Sequence, residues 1–271
     1  MTIDVKKFEE DGILGPLRLF DRARAEALLR ERFFPKRLLT WYKSYHQRSI
    51  PVVRAASDPG ILDVLRPVLG NDILLWGSVF IGQTPEQAHA MHLDVEHSRW
   101  DGVTLWLGLK NLTEETTVSV ITRSHRLATS PQQLKTELGV DPLDNAQVLE
   151  AARKLDPKCE LATFRLAAGE FIVWNGRTWH ATSNKSRNIR FSLIMQYCSP
   201  NNRTRIPTNY ELPNTTWSDT KPPCVLVSGQ DRFRINDVVT KQQVESSGKY
   251  LRPLFAVAFR GCSAITNLRD S

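Results

Sequence analysis

The sequence predicts an α+β fold dominated by β structure, with helices gathered in residues 1–70 and an antiparallel core after them. Two observations carry this. Before Gly70, apolar residues recur at helical spacing. After it, short runs rich in Val, Ile, Phe and Trp alternate with Gly, Asn, Pro and charged residues, the pattern of strands in a barrel or sandwich. At 271 residues, 41% hydrophobic and 24% charged, the chain has material for one large core, and 1–271 reads as a single domain.

Residues 5–33 read as helical. Asp21 can cap RARAEALLRERFF, where Ala25, Leu28, Leu29 and Phe33 share a face. Asp58-Pro59-Gly60 starts another helix, ILDVLRPVLG, which Pro67 bends or stops early and Gly70 ends. From residue 71, NDILLWGSVFIG, GVTLWLGLKNL, VSVITRS, ATFRLAAGEFIVWNG, IRFSLIMQYC and PCVLVSG read as strands. Residues 131–155 return to helical spacing through Leu134, Leu138, Val148, Ala151 and Leu155, which places an insertion near 126–160. Residues 200–223 lack periodicity and are rich in Pro, Asn and Thr, as expected of a lid.

Composition excludes several classes. No run approaches the ~18 apolar residues of a membrane span. The N-terminus MTIDVKKFEEDG lacks the basic-then-apolar order of a signal peptide, so a cytoplasmic setting is the default expectation. Cys159, Cys198, Cys224 and Cys262 lie far apart with no CxxC pair, which argues against a disulfide scaffold or a cysteine zinc site. Net charge is +7 and the pI about 9.4, but the cations are scattered, the densest being Lys185–Arg190 and Arg203–Arg205. They suit an anionic small molecule at least as well as nucleic acid.

The chemistry gathers around Met91-His92-Leu93-Asp94. Residues i and i+2 of a strand share a face, so His92 and Asp94 can reach one ion. His180 follows the apolar strand GEFIVW and supplies a second imidazole. Two imidazoles and one carboxylate on one side of a metal leave the opposite positions open for a 2-oxo acid and dioxygen, as in non-haem Fe(II) oxygenases. Arg190, about ten residues after His180, opens the strand IRFSLIMQY and offers a guanidinium fork for the distal carboxylate of 2-oxoglutarate. Thr182 offers a hydroxyl to the same carboxylate. Taken singly, HxD is common by chance, Arg190 reads as a surface arginine and Thr182 as a turn residue; their companionship is what gives them weight.

HxD, a distant His-x-[Ser/Thr] and an arginine about ten residues later resemble the phytanoyl-CoA dioxygenase family. FEEDG, LGNDILLWGSVF, GVTLWLGLKNLTEE with VSVITRSH, HATSNKSRNIRFSLIMQY and GQDRFRIN are similar to its further segments. The resemblance implies a double-stranded β-helix (jelly-roll, cupin-like) core over 71–271, flanked by the N-terminal helices. It also implies Fe(II), 2-oxoglutarate as co-substrate and release of succinate and CO2. By position it makes His92, Asp94 and His180 the iron ligands and catalytic centre, Arg190 and Thr182 the co-substrate anchor, and Thr104 a further residue of the co-substrate pocket.

Two features bear on specificity. The family's Asn-Gly and Pro-Gly before Ser-His are replaced by Glu114-Glu115-Thr116-Thr117 and Thr122-Arg123-Ser124-His125, which puts the substrate in question. Halogenating relatives replace the carboxylate by a small residue; here Asp94 is present, which favours hydroxylation or another oxidation. Substrate contacts are expected from His97, Arg99, Trp100 and Arg232, with Arg203, Arg234 and Trp217 near them, and the arginines suit a small anionic metabolite. His97 would face away from His92 on a strand and is placed in a loop over the pocket. His125 is read as structural, and His46 and His89 as ordinary polar residues. Two rival functions are a jelly-roll binding protein without redox chemistry and a zinc hydrolase using the same triad. The first would lack a ligand or anchor. The second needs a general base, for which Glu96 is a weak candidate, and leaves Arg190 without a task.

Overall fold

The computed structural model describes residues 4–33, 39, 41–94, 102–204, 206 and 221–246. The N-terminal part is more broken than its periodicity suggests. Helix α1 (Val5–Asp11) starts where the Asp4 side chain accepts from the Lys7 N–H, and it ends at Gly12, whose φ of 78° stops it. A strand, β1 (Ile13–Arg18), then occupies part of what reads as continuous helix, because Gly15 and Pro16 cannot prolong one. Helix α2 (Arg22–Leu29) follows its Asp21 cap. Helices α3 (Ile50–Ala56) and α4 (Pro59–Leu69) are capped by Ser49 and Asp58, and α4 carries Pro67 in its last turn before Gly70.

The strands form two sheets. The larger has the order β1-β7-β4-β9-β2-β10-β11, with β2 (Ile73–Gln83), β4 (Gly102–Lys110), β7 (Glu170–Asn175), β9 (Arg190–Cys198), β10 (Cys224–Ser228) and β11 (Val238–Thr240). The smaller has the order β3-β8-β5-β6, with β3 (Gln87–His92), β5 (Thr116–Ile121), β6 (Leu161–Phe164) and β8 (His180–Asn184). Neighbours are antiparallel except β10 and β11, which run parallel.

Four layers result. Leu105, Leu107, Leu193, Met195 and Tyr197 on the outer face of the large sheet pack against α1–α4 and α7 (Lys241–Ser246). The inner faces meet through Trp106, Ile172 and Trp174 from one sheet and Val118, Val120 and Phe164 from the other. Met91, Ile121 and Ala181, on the far side of the small sheet, pack against α5 (Pro131–Leu138) and α6 (Asn145–Leu155). Covering both faces of the large sheet explains why β4 reads as an unbroken apolar run and not as an alternation.

Two facing sheets are the frame expected of a jelly roll, but helices and strands hold nearly equal shares of the described residues, where strands were expected to dominate. The insertion near 126–160 is two helices joined by a turn, since Gly139 caps α5 with φ of 70° and Asp144 caps α6 anew. Of the expected lid, 205 and 207–220 lie outside the described residues. Cys159, Cys198 and Cys224 are free and buried; Cys262 lies outside the described residues. No helix among the described residues is long and apolar enough to cross a membrane.

Candidate metal centre

Alternation along β3 sends Met91 outward to α5 and α6 and His92 inward. His180, the first residue of β8, is the direct cross-strand partner of His92, with ring centroids 4.2 Å apart. Asp94 lies just past the end of β3 instead of on it, and its backbone N–H donates to Gly176 O at 3.2 Å in the turn after β7. One ligand atom from each of His92, Asp94 and His180 falls within 4.8 Å of the others, with His180 Nε2 3.9 Å from Asp94 Oδ1.

Each imidazole is aimed by its own backbone. His92 Nδ1 lies 2.9 Å from Ala90 O and His180 Nδ1 lies 2.9 Å from Thr178 O. A carbonyl oxygen only accepts, so each Nδ1 carries the proton and each Nε2 keeps its lone pair for an ion. Burial, followed by the facing His180, pushes His92 down to about 3, and burial lowers His180 too, so both stay neutral as metal ligands require. Burial alone would raise the Asp94 carboxyl. His180, Lys43, His92 and the Thr104 hydroxyl together outweigh it and hold the group anionic, at about 2.

The large sheet holds the carboxylate. Thr104 Oγ1, from β4, donates to Asp94 Oδ2 at 2.6 Å, and Trp174 Nε1, from β7, donates to the same oxygen at 3.1 Å. One carboxylate oxygen is thereby occupied and Oδ1 is left facing the imidazoles. Thr104, expected in the co-substrate pocket, is placed instead on the ligand itself, because the inward face of β4 lies beside Asp94. Thr104→Val keeps the shape and removes the donor. It is expected to weaken Fe(II) binding by about 10–100-fold with an unchanged thermal melt; metal affinity within twofold of the parent would contradict this role.

Arg190 opens β9 and is 1% exposed. Its Nη1 donates to Thr117 O at 3.3 Å, its guanidinium lies 5.0 Å from the Trp106 ring centroid, and its Nε has no partner among the described residues. Burial lowers it to about 10, and no carboxylate among the described residues offsets the effect. Such a group stays buried and charged only at a cost of several kcal/mol. Arg190 and Thr182 line the same cleft of about 350 Å³ as the triad. A carboxylate entering that cleft would complete the guanidinium.

The other expected contacts fare differently. His97, Arg99 and Trp100 lie outside the described residues, as do Glu96 and Trp217. Arg232 is not in the cleft. Asp231 Oδ1 accepts from the Phe233 and Arg234 N–H groups, and the resulting turn leaves Arg232 on the surface with Nε 3.8 Å from Asp72 Oδ2. Arg203 and Arg234 are exposed as well. His125 Nε2 lies 3.2 Å from Glu9 O, and His46 Nδ1 lies 2.9 Å from Ser78 Oγ. His89, read as an ordinary polar residue, lines the cleft with its ring 4.3 Å from that of His92. Tyr42 and Lys43 also line it and were not anticipated. The only signal for them was an aromatic-rich stretch, WYKSY, without helical spacing between two helices.

The profile of the phytanoyl-CoA dioxygenase (PhyH) family matches residues 12–192, about two thirds of the chain, from β1 into β9, and the span includes the triad and Arg190. The chain belongs to this family. The triad and this membership together make it an Fe(II)- and 2-oxoglutarate-dependent oxygenase. None of the curated proteins matches the sequence. Solved structures share the fold at low identity. "CytC3 with Fe(II) and alpha-ketoglutarate" is 18% identical with a TM-score of 0.62, covering 87% of this chain and 91% of its own. The non-heme monooxygenase ThoJ, in its apo form, is 20% identical with a TM-score of 0.61, covering 87% and 86%. Iron-bound HygX from Streptomyces hygroscopicus is 17% identical with a TM-score of 0.54, covering 72% and 85%.

Proposed function

We propose that this PhyH-family oxygenase hydroxylates, or otherwise oxidises, a small anionic metabolite. In this reading His92, Asp94 and His180 hold iron(II), and Arg190 with Thr182 takes the distal carboxylate of 2-oxoglutarate. The observation that carries it is the buried Arg190 guanidinium, unpaired at Nε among the described residues, opening on the same cleft as three converged ligand atoms. The solved relative that contains Fe(II) and alpha-ketoglutarate supports the cofactor assignment. The donor set, two neutral imidazoles and one carboxylate oxygen, suits ferrous iron.

Bound iron(II) and 2-oxoglutarate supply, with dioxygen, the oxidation of a substrate C–H bond, releasing succinate and CO2. The chain's own residues do the rest. Thr104 and Trp174 hold one oxygen of Asp94 so that the other keeps a single orientation. Arg190 fixes the far end of the co-substrate by charge-assisted bonds. Val79, Ile81, Trp106 and Ile194 give the cleft dry walls. No side chain is required to move a proton in the oxygen transfer.

Mixing the protein with Fe(II) and 2-oxoglutarate under argon should produce a weak absorption band near about 500 nm, as expected of such a complex. A zinc hydrolase would give none. Succinate release should then rise with members of a panel of small acids and not with their amides. Equal stimulation by acids and amides would remove charge selection from the proposal, and absence of the band would remove the co-substrate.

A further inference from the structure

We infer that the end of α1 holds the iron ligands in register through the Gly12 carbonyl, and that Thr178 is the positioning residue through which it acts. This deepens the reading above and rests on its assignment of iron to His92, Asp94 and His180. The link is the turn at 175–178 between β7 and β8, which carries two ligand supports. Gly176 O accepts from the Asp94 backbone N–H at 3.2 Å, and Thr178 O faces His180 Nδ1 at 2.9 Å. The backbone of the carboxylate and one imidazole therefore depend on the same turn, and a change in its bend moves both.

A single acceptor fixes that bend. Gly12 O takes the Asn175 N–H and the Thr178 hydroxyl, each at 2.9 Å, so one carbonyl closes the turn from both ends. Within the turn, the Thr178 N–H donates to Asn175 O at 2.8 Å. Thr178 is 0% exposed, so water cannot stand in for Gly12 at its hydroxyl. Only glycine suits position 12. Its φ is 78°, and an added Cβ would meet Thr178 Oγ1 at 2.7 Å and crowd His125 Nδ1 more closely still.

The carbonyl is itself held in place. Phe8 anchors α1 in the core, and the three residues before Gly12 are fastened to the loop after β5. The Arg123 N–H donates to Asp11 O at 2.9 Å, Arg123 Nη1 lies 3.1 Å from Glu10 Oε1, and His125 Nε2 lies 3.2 Å from Glu9 O. Arg123 does this at φ of 65°, a conformation that favours glycine, with its Nε 2.8 Å from Asp156 Oδ2. The same loop grips the residue beside Thr178: Ser124 Oγ accepts from the Trp179 N–H at 2.8 Å, and the Ile121 N–H donates to Trp179 O at 3.0 Å. His180 thus projects from a segment held on both sides. Ligand sets need such support, since a shift of about 1 Å can cost most of their function.

Thr178→Val keeps the shape and leaves Gly12 O with its Asn175 partner, so no buried acceptor is stranded. Co(II) titration of the full chain under argon, followed in the visible range, should show about tenfold weaker binding and an altered band shape. Thr178→Ser, which keeps the hydroxyl, should stay within about threefold of the parent. In the metal-free protein, proton NMR of the imidazoles gives the exchange rate of the His180 Nδ1 proton, assigned by its loss in His180→Gln. That proton should exchange several-fold faster in Thr178→Val than in the parent or in Thr178→Ser. A residue that only stabilised the fold would lower the Tm of Thr178→Val and leave both readouts alone. Binding within twofold of the parent, unchanged exchange, or equal losses in the valine and serine variants would each overturn the inference. A parent that failed to bind Co(II) would overturn the metal assignment, while the exchange rates would still decide whether Thr178 holds His180.

Discussion

Asp94→Ala is expected to reduce Fe(II) affinity and succinate formation by about 1000-fold or more, beyond the ~10–100-fold typical of losing an outer partner of a ligand. The carboxylate is the only anionic member of the triad and is held at about 2, so at neutral pH the site always presents one full negative charge to a cation. Alanine leaves two neutral imidazoles, and it also strands the Thr104 hydroxyl and the Trp174 indole N–H, which both donate to Asp94 Oδ2. Asp94→Asn separates these effects. The amide oxygen can still accept both bonds, so the fold should be kept, while the missing charge should still abolish most metal binding. Anaerobic Co(II) titration followed in the visible range reads the affinity without turnover. An alanine variant within tenfold of the parent would place the ion elsewhere.

Arg190→Met should raise the 2-oxoglutarate KM by about 100-fold or more, since bonds to a charged partner are worth roughly 1.5–3 kcal/mol each and a guanidinium can make two. Arg190→Lys should recover only part of it, because an ammonium cannot form the planar fork. Stability should move the other way. The guanidinium is 1% exposed, has Nε unpaired among the described residues and is lowered by burial to about 10. An apolar side chain of similar length removes that desolvation penalty, so without co-substrate the Met variant should melt at or above the temperature of the parent. Adding 2-oxoglutarate should raise the Tm of the parent alone. A Met variant that melts well below the parent and still binds 2-oxoglutarate would make Arg190 a structural residue.

Much of the chemistry was legible because it rests on spacing. HxD at the end of a strand, a histidine after an apolar strand and an arginine opening the next one are local patterns, and pairing β3 with β8 is enough to bring the imidazoles together. The strand runs were legible for the same reason, as was α4 with its Asp58 cap and Gly70 stop. What stayed hidden depends on which face meets which across the layers. Thr104 looks like any threonine of β4 until β4 is seen to pass beside Asp94. Trp174 looks like core, and most of it is, yet its indole N–H reaches the carboxylate. Lys43 and His89 carry no motif and enter the cleft only through the docking of their segments. Strand β1 was masked because α1 and α2 on either side share its apolar character, and only Gly12, Gly15 and Pro16 mark the break.

The imidazoles hang from the small sheet, while the carboxylate is gripped by two side chains of the large one. A seated ion is therefore a rivet through both layers. Its geometry inherits any sliding of one layer over the other, so substitutions where Val118 or Val120, the strand partners of Thr182 and His180, meet Ile172 can detune turnover by misaligning the rivet holes beyond what the accompanying loss of core packing accounts for.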